Sequence, residues 1–266
     1  MHKTASLFLS HGAPNRILQA HPANDFLQNL ATTDLFTTAK AIVIMSPHWI
    51  TKQLSISATG TLSSINDFGG FEPELYHQQY QAGQAQWLTD VVSNVLAKNK
   101  TDFSVVKQGL DHGAWTVLKL VNPNGRLPVL AMSLPVLTGF NPGEDMSAYL
   151  QLGEKLSVLA EQGIIFIGSG SATHNLSKLS LNGKTSSWAV EFSQWLQQQV
   201  AENNLTALAN AYRLNPHMQM AHPRPDHFLP LLVAAGIHAS KKNIQSKLLH
   251  DSYEYANLNN SSFVFS

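Results

Sequence analysis

The 266-residue sequence predicts one α/β domain over residues 1–266, with a largely parallel central sheet and helices on both of its faces. Three observations predict it. Several short apolar runs are continuous rather than alternating, as in strands covered on both faces. Between them lie longer stretches with apolar residues at i, i+3 and i+4. No repeat, low-complexity tract or Pro/Ser-rich linker divides the chain, and 44% hydrophobic residues are enough for one large core.

Taken in order, residues 7–9, 41–45, 103–106, 127–132 and 164–167 read as strands, and residues 262–265 as one more. Trp87, Leu88, Val91, Val92, Val95 and Leu96 form one helical stripe, and Trp188, Phe192, Trp195, Leu196 and Val200 another. Met146, Tyr149, Leu150, Leu156 and Leu159 form a third, after an Asn141-Pro142-Gly143-Glu144 start that resembles a capped helix opening. These aromatics read as core. Pro230 is tolerable only in a first helical turn, so a helix through residues 231–235 begins near it. Segments 52–82 and 212–228 read as long loops, which in a compact domain are usually functional.

Composition narrows the function. Lys plus Arg and Asp plus Glu are 17 each, so the net charge is zero and no basic excess exists for nucleic acid or anionic lipid. No run approaches the ~18 apolar residues of a membrane span, and the N-terminus lacks a signal-peptide pattern, so a cytoplasmic protein is expected. There is no cysteine, which removes disulfides, thiolate metal sites and cysteine nucleophiles. Histidine stands out at 12 residues, so any metal must sit on nitrogen and oxygen ligands.

In open α/β sheets, ligands bind beyond the carboxyl ends of the strands. Three of the strands there deliver a histidine: Ser10-His11-Gly12, Ser46-Pro47-His48-Trp49, and the longer Gly168-Ser169-Gly170-Ser171-Ala172-Thr173-His174. A single strand-end histidine is usually structural; three converging on one edge make a constellation. His11 and His48 read as two metal ligands. A third comes best from Ala221-His222-Pro223-Arg224-Pro225-Asp226-His227. His227, framed by Pro225 and Pro230 before a helix, is preferred to His222, with Asp226 as dipole partner or orienting carboxylate. His112 opens another helical stretch, where Asp111 could orient an imidazole; a local structural role is equally good from spacing. His174 lies six residues past its strand, a reach that suits a side chain facing substrate. The glycines at 168 and 170 read as room for a ligand near the backbone, since neither a dinucleotide fingerprint nor a P-loop is completed. Asp67-Phe68-Gly69-Gly70-Phe71 has the look of a substrate-wall loop; a glycine turn between aromatic anchors is equally good from spacing alone. Neither G-x-S-x-G nor H-E-x-x-H occurs.

Together, Ser10 to Pro14, Ser46 to Trp49, Asp67 to Phe71, Asp111 to Trp115, Gly168 to Asn175 and Pro225 to Pro230 occur in family order. In them the sequence resembles the DOPA-dioxygenase type of class III extradiol ring-cleavage dioxygenases, within the LigB-like superfamily. The resemblance implies a mononuclear non-haem iron(II) enzyme that opens a catechol ring beside the diol with O₂. It implies metal ligation by His11, His48 and His227, acid/base work by His174, and substrate or oxygen contact by His112. It implies a substrate wall of Asp67, Phe68, Gly69, Phe71 and Trp49, and zinc as an alternative occupant of the same site. Partners are then a small catechol and O₂, with neither nucleic acid nor membrane, in a monomer or small homo-oligomer. Three departures fall in that wall: Glu72 stands between Phe71 and Pro73, Asn66 precedes the loop, and Tyr80-Gln81-Ala82-Gly83 replaces Y-P-A-P-G. Two rivals share the three-His site, a zinc hydrolase and a non-catalytic catechol-binding relative.

Overall fold

The structure is a computed structural model that describes residues 5–137, 143–181, 183–241 and 244–266. Its strands are β1 (Ser6–Ser10), β2 (Ala41–Thr51), β3 (Leu54–Ser57), β4 (Gly60–Ser63), β5 (Gln81–Gln84), β6 (Phe103–Val106), β7 (Val129–Pro135), β8 (Ile164–Gly170), β9 (Ser246–His250), β10 (Tyr253–Glu254), β11 (Leu258–Asn259) and β12 (Ser262–Phe265). Eight of them form one sheet in the order β6-β3-β7-β2-β8-β1-β12-β9. Its centre, β7-β2-β8-β1, is parallel throughout, as is β3 with β6; β3 against β7 and the edge pairs to β12 and β9 are antiparallel.

Continuous apolar runs are needed because both faces of that centre are covered. Along β1, β2 and β8, alternate side chains go to opposite sides, with period two. Phe8, Val43 and Phe166 join one core with residues of the helices Gln86–Lys98, Ser187–Ala201 and Leu229–Gly236. Leu7, Leu9, Ile42, Ile44, Ile165 and Ile167 join a second with Pro22–Leu30 and His112–Val121. Each such fully buried side chain contributes roughly 1.5–3 kcal/mol relative to exposure.

The structure corrects four of the sequence-based expectations. Segment 52–82 carries β3, β4, β5 and the short helix Pro73–Tyr76; segment 212–228 carries the ends and turns of Ala211–Leu214 and Met218–Ala221. In the third stripe, Asn141 and Pro142 lie outside the described residues. Its helix runs Ser147–Lys155 with Met146 at the N-cap, and Leu159 belongs to a separate turn, Val158–Glu161. β2 does not end before His48. It continues to Thr51, and its pairing with β7 slips between Ser46 and Ile50. Such a bulge re-aims side chains, and Pro47 inside it has no N–H to lose from the ladder. β8 likewise extends to Gly170, leaving His174 four residues beyond it.

The role of the β8 glycines also changes. A Cβ on Gly168 would stand 2.3 Å from the Pro230 carbonyl oxygen, and one on Gly170 2.3 Å from that of His227. They admit the 227–230 backbone against the sheet, where Ser171 N donates to the His227 carbonyl. No helix among the described residues is long and apolar enough to cross a membrane.

Candidate active site and metal centre

The carboxyl ends of β1 and β8 and the bulge of β2 open on one edge of the sheet, and five histidines gather there. His48 Nε2 lies 3.3 Å from His11 Nε2 and 3.3 Å from His227 Nε2. His11, His48 and His112 also present nitrogens all within 4.8 Å of one another. The His112 ring packs 3.8 Å from that of His48, and the His174 ring stacks on His227 at 3.4 Å, 5° from parallel.

Hydrogen bonds fix the tautomers of two of these rings. Ser169 Oγ donates to the Gly113 carbonyl at 2.5 Å, so it accepts from His11 Nδ1 at 3.0 Å. Asp226 Oδ1 accepts from the backbone N–H of His227 at 3.0 Å and faces its Nδ1 at 3.3 Å. In both rings the Nδ1 proton is engaged, and Nε2 turns a lone pair toward the cluster. Burial holds His11 and His227 well below the ordinary imidazole range, helped by the neighbouring rings: His48 foremost for His11, His174 for His227. Burial, then His112, lowers His48 to about 3; burial lowers His174 to about 4. His11, His48, His174 and His227 are therefore neutral at pH 7, and lone pairs brought this close around His48 call for a cation between them. Imidazole nitrogens ~2.1 Å from one tetrahedral ion stand about 3.4 Å apart, close to the His48–His11 and His48–His227 spacings.

Nearby carboxylates divide the labour. Asp67 Oδ1 accepts from His112 N at 2.8 Å and stands 3.1 Å from His112 Nδ1, off the axis of a good hydrogen bond. Burial would raise the Asp67 carboxyl; His112 outweighs it, and the net shift is down. Asp111 orients no imidazole directly. It caps the helix His112–Val121 through Ala114 N and accepts from Ser46 Oγ at 2.5 Å, while burial pushes it up to about 6. Gly113 supplies space, because a Cβ there would sit 2.9 Å from His48 Cδ2. His222 is turned away, with Nε2 on the Ala172 carbonyl at 2.9 Å and its ring between Phe192 and Phe228.

A cavity of about 490 Å³ opens over the cluster. Its lining includes His11, His48, His112 and His174 together with Phe68, Phe71, Leu176, Leu179, Leu181, Tyr255 and Leu258. Of the expected substrate wall, Phe68 and Phe71 line it. Asp67, Gly69 and Trp49 do not: Asp67 is engaged with His112, Gly69 has open space around its Cα, and Trp49 packs against the core of the Pro22–Leu30 face.

Sequence reasoning passed over Ser169, Arg16 and Glu254. Arg16, 2% exposed, stands 3.8 Å from Glu254 Oε1 and donates to the Ser10 carbonyl, while Glu254 Oε2 accepts from Ala13 N. This buried pair brackets the loop that carries His11. Gly12, at φ +65°, is the only residue type that fits there, since a Cβ would meet Glu254 Oε1 at 2.2 Å. The leucine wall was also missed, since isolated leucines carry no motif.

The family model described as the catalytic LigB subunit of aromatic ring-opening dioxygenase matches residues 2–266. The chain is 32% identical over 265 residues to "4,5-DOPA dioxygenase extradiol" of Beta vulgaris, covering 98% of this chain and 96% of that one. It is 30% identical to the protein of the same description from Mirabilis jalapa, covering 92% and 90%. A solved structure from Escherichia coli K12, described as an uncharacterized protein, superposes with a TM-score of 0.78 at 23% identity, covering 98% and 99%, and so shares the fold. With its family model matched from end to end, the chain belongs to the LigB family of aromatic ring-opening dioxygenases.

Proposed function

We propose that this protein opens the ring of a catechol beside its two hydroxyls with O₂, using one divalent metal held by His11, His48 and His227. The observation that carries the assignment is the pair of 3.3 Å Nε2 spacings centred on His48, in rings whose Nδ1 protons are already engaged. His112 also falls within reach, but Asp67 draws its Nδ1 aside. Iron(II) is the metal for catalysis, and the same neutral donor set accepts zinc. When bound, the metal lowers the pKa of the diol and gives O₂ a one-electron partner.

The residues do the rest. Phe68 and Phe71 hold the aromatic ring edge-on and keep water from it. His174 arrives neutral at pH 7, so a ring nitrogen accepts the proton that a diol oxygen must lose, and returns it when the ring opens. His112, held by Asp67, presents its imidazole to substrate or oxygen on the far side of His48. Ser169 and Asp226 fix the tautomers on which this geometry depends. The protein works in the cytoplasm as a monomer or small homo-oligomer.

Aerobic, ferrous-loaded protein mixed with a panel of catechols tests the reading. It predicts a yellow ring-opened semialdehyde and one O₂ consumed per ring. Zinc-dependent ester hydrolysis without O₂ uptake, or tight binding without product, overturns it.

A further inference from the structure

We infer that the substrate is a catechol carrying an uncharged, apolar substituent, rather than an amino-acid or carboxylate side chain. This rests on the catechol reading above. Part of the cavity lining beside the histidines is made of leucines. Leu176 is 63% exposed and Leu181 82% exposed, yet both border the cavity with Leu179 and Leu258. Large side chains left in water beside a catalytic cluster gain free energy only when something apolar covers them. The wall is continuous with the metal cluster, and a volume of about 490 Å³ exceeds what one aromatic ring fills. A ring seated over the histidines therefore directs its substituent along the leucines.

Among the described residues, no Lys, Arg, Asp or Glu side chain lines this cavity. The charged groups around it are engaged elsewhere. Arg16 is buried behind Gly12 with Glu254, Arg224 stands 3.8 Å from Asp226, and Asp67 holds His112. Glu72, the residue inserted into the loop, accepts from Asn15 Nδ2, and Asn15 in turn accepts from Tyr255 Oη. A substrate carboxylate or ammonium entering here would meet no charged partner among the lining residues, only the histidines and the Ser180 and Tyr255 hydroxyls, and would gain nothing from the leucines, which disfavours it relative to an apolar substituent.

The test is equilibrium binding together with turnover. Affinity is measured by calorimetry for catechol and its methyl, ethyl, propyl and butyl derivatives, and for DOPA, a carboxylated catechol and a catecholamine. Affinity should rise about 3- to 4-fold per methylene, and every charged catechol should bind more weakly than propylcatechol. Leu176→Ser and Leu181→Ser, at exposed positions where folding tolerates the change, should each flatten that series by 3-fold or more. A flat series in the native protein, or a charged catechol that binds tightest, overturns the inference. So does self-association that vanishes in Leu181→Ser, because the leucines would then cover a second copy. Alkylcatechols that bind in the expected order without consuming O₂ uphold the substrate class and sink the ring-opening reading instead.

Discussion

Along the sheet edge, three of the five clustered rings are tied to a polar partner: His11 through Ser169 to the Gly113 carbonyl, His227 to Asp226, His112 to Asp67. Elsewhere on the lining of the same cavity, Leu176 and Leu181 stand largely in solvent on a turn of three-residue helix, Leu176–Lys178, and the stretch that follows it. The histidines sit at strand ends and helix starts packed in the core, and the leucines hang largely from loops. A wall built from strand ends can hold nitrogens to a few tenths of an ångström, as bond-making chemistry requires. A wall built from loops can change without disturbing the core, as selectivity requires. Of the three departures from the family pattern, Asn66 and Glu72 flank the loop that carries Phe68 and Phe71, whereas Tyr80 to Gly83 run into β5 on the core; contrary to the expectation that they form the substrate wall, none of them lines the cavity.

Substitutions along the sheet edge should break function hardest. His11→Ala should remove most of the bound metal, and with it ring opening, while the circular dichroism of the protein stays native. Full metal stoichiometry by atomic absorption in that variant would refute the ligand assignment. Next comes His174→Ala, which should keep its metal and lose about 10²–10⁴-fold in kcat, with one limb of the pH–rate profile gone. Near-native kcat would return His174 to a structural role. Asp67→Asn leaves the His112 imidazole without its anionic partner, and should cost about 10-fold in kcat/KM with metal content unchanged. Steady-state kinetics and metal analysis on one preparation separate the two effects.

The smallest effect concerns a histidine away from the cluster. Burial lowers His222 to about 4 from the ordinary 6.5, so the folded protein binds fewer protons there than the unfolded chain. Its contribution to stability is complete above pH ~6.5 and is lost as pH falls from there toward 4. His222→Gln keeps an N–H for the Ala172 carbonyl and has nothing to titrate. Urea midpoints for metal-free native and variant proteins should therefore converge as pH falls from 6.5 to 4.5. Parallel profiles would contradict this sign.

The legibility of the sequence follows the same division. Continuous runs such as residues 41–45 and 164–167 announced strands buried on both faces, and the residues after them announced histidines on one edge. The extension of β2 through Pro47 to Thr51 was hidden, since proline reads as a stop and only pairing with β7 carries the strand past the bulge. Gly168 and Gly170 were read toward a ligand, whereas they make room for the 227–230 backbone, a contact about 60 residues away in the chain that no local pattern encodes. Trp49 and Gly69 sat in the right motifs but are not among the residues that line the cavity. Leu176 and Leu181 look like ordinary surface leucines until the fold brings them into one cavity lining with His11 and His48.

The central claim is that His227, rather than His112, completes the metal set with His11 and His48. Anomalous diffraction at the iron edge, from crystals grown without oxygen in ferrous iron, tests it most directly. The account predicts one peak about 2.1 Å from Nε2 of His11, His48 and His227, with His112 outside bonding distance and still on Asp67. A peak bonded to His11, His48 and His112, with His227 left to Asp226, would contradict it.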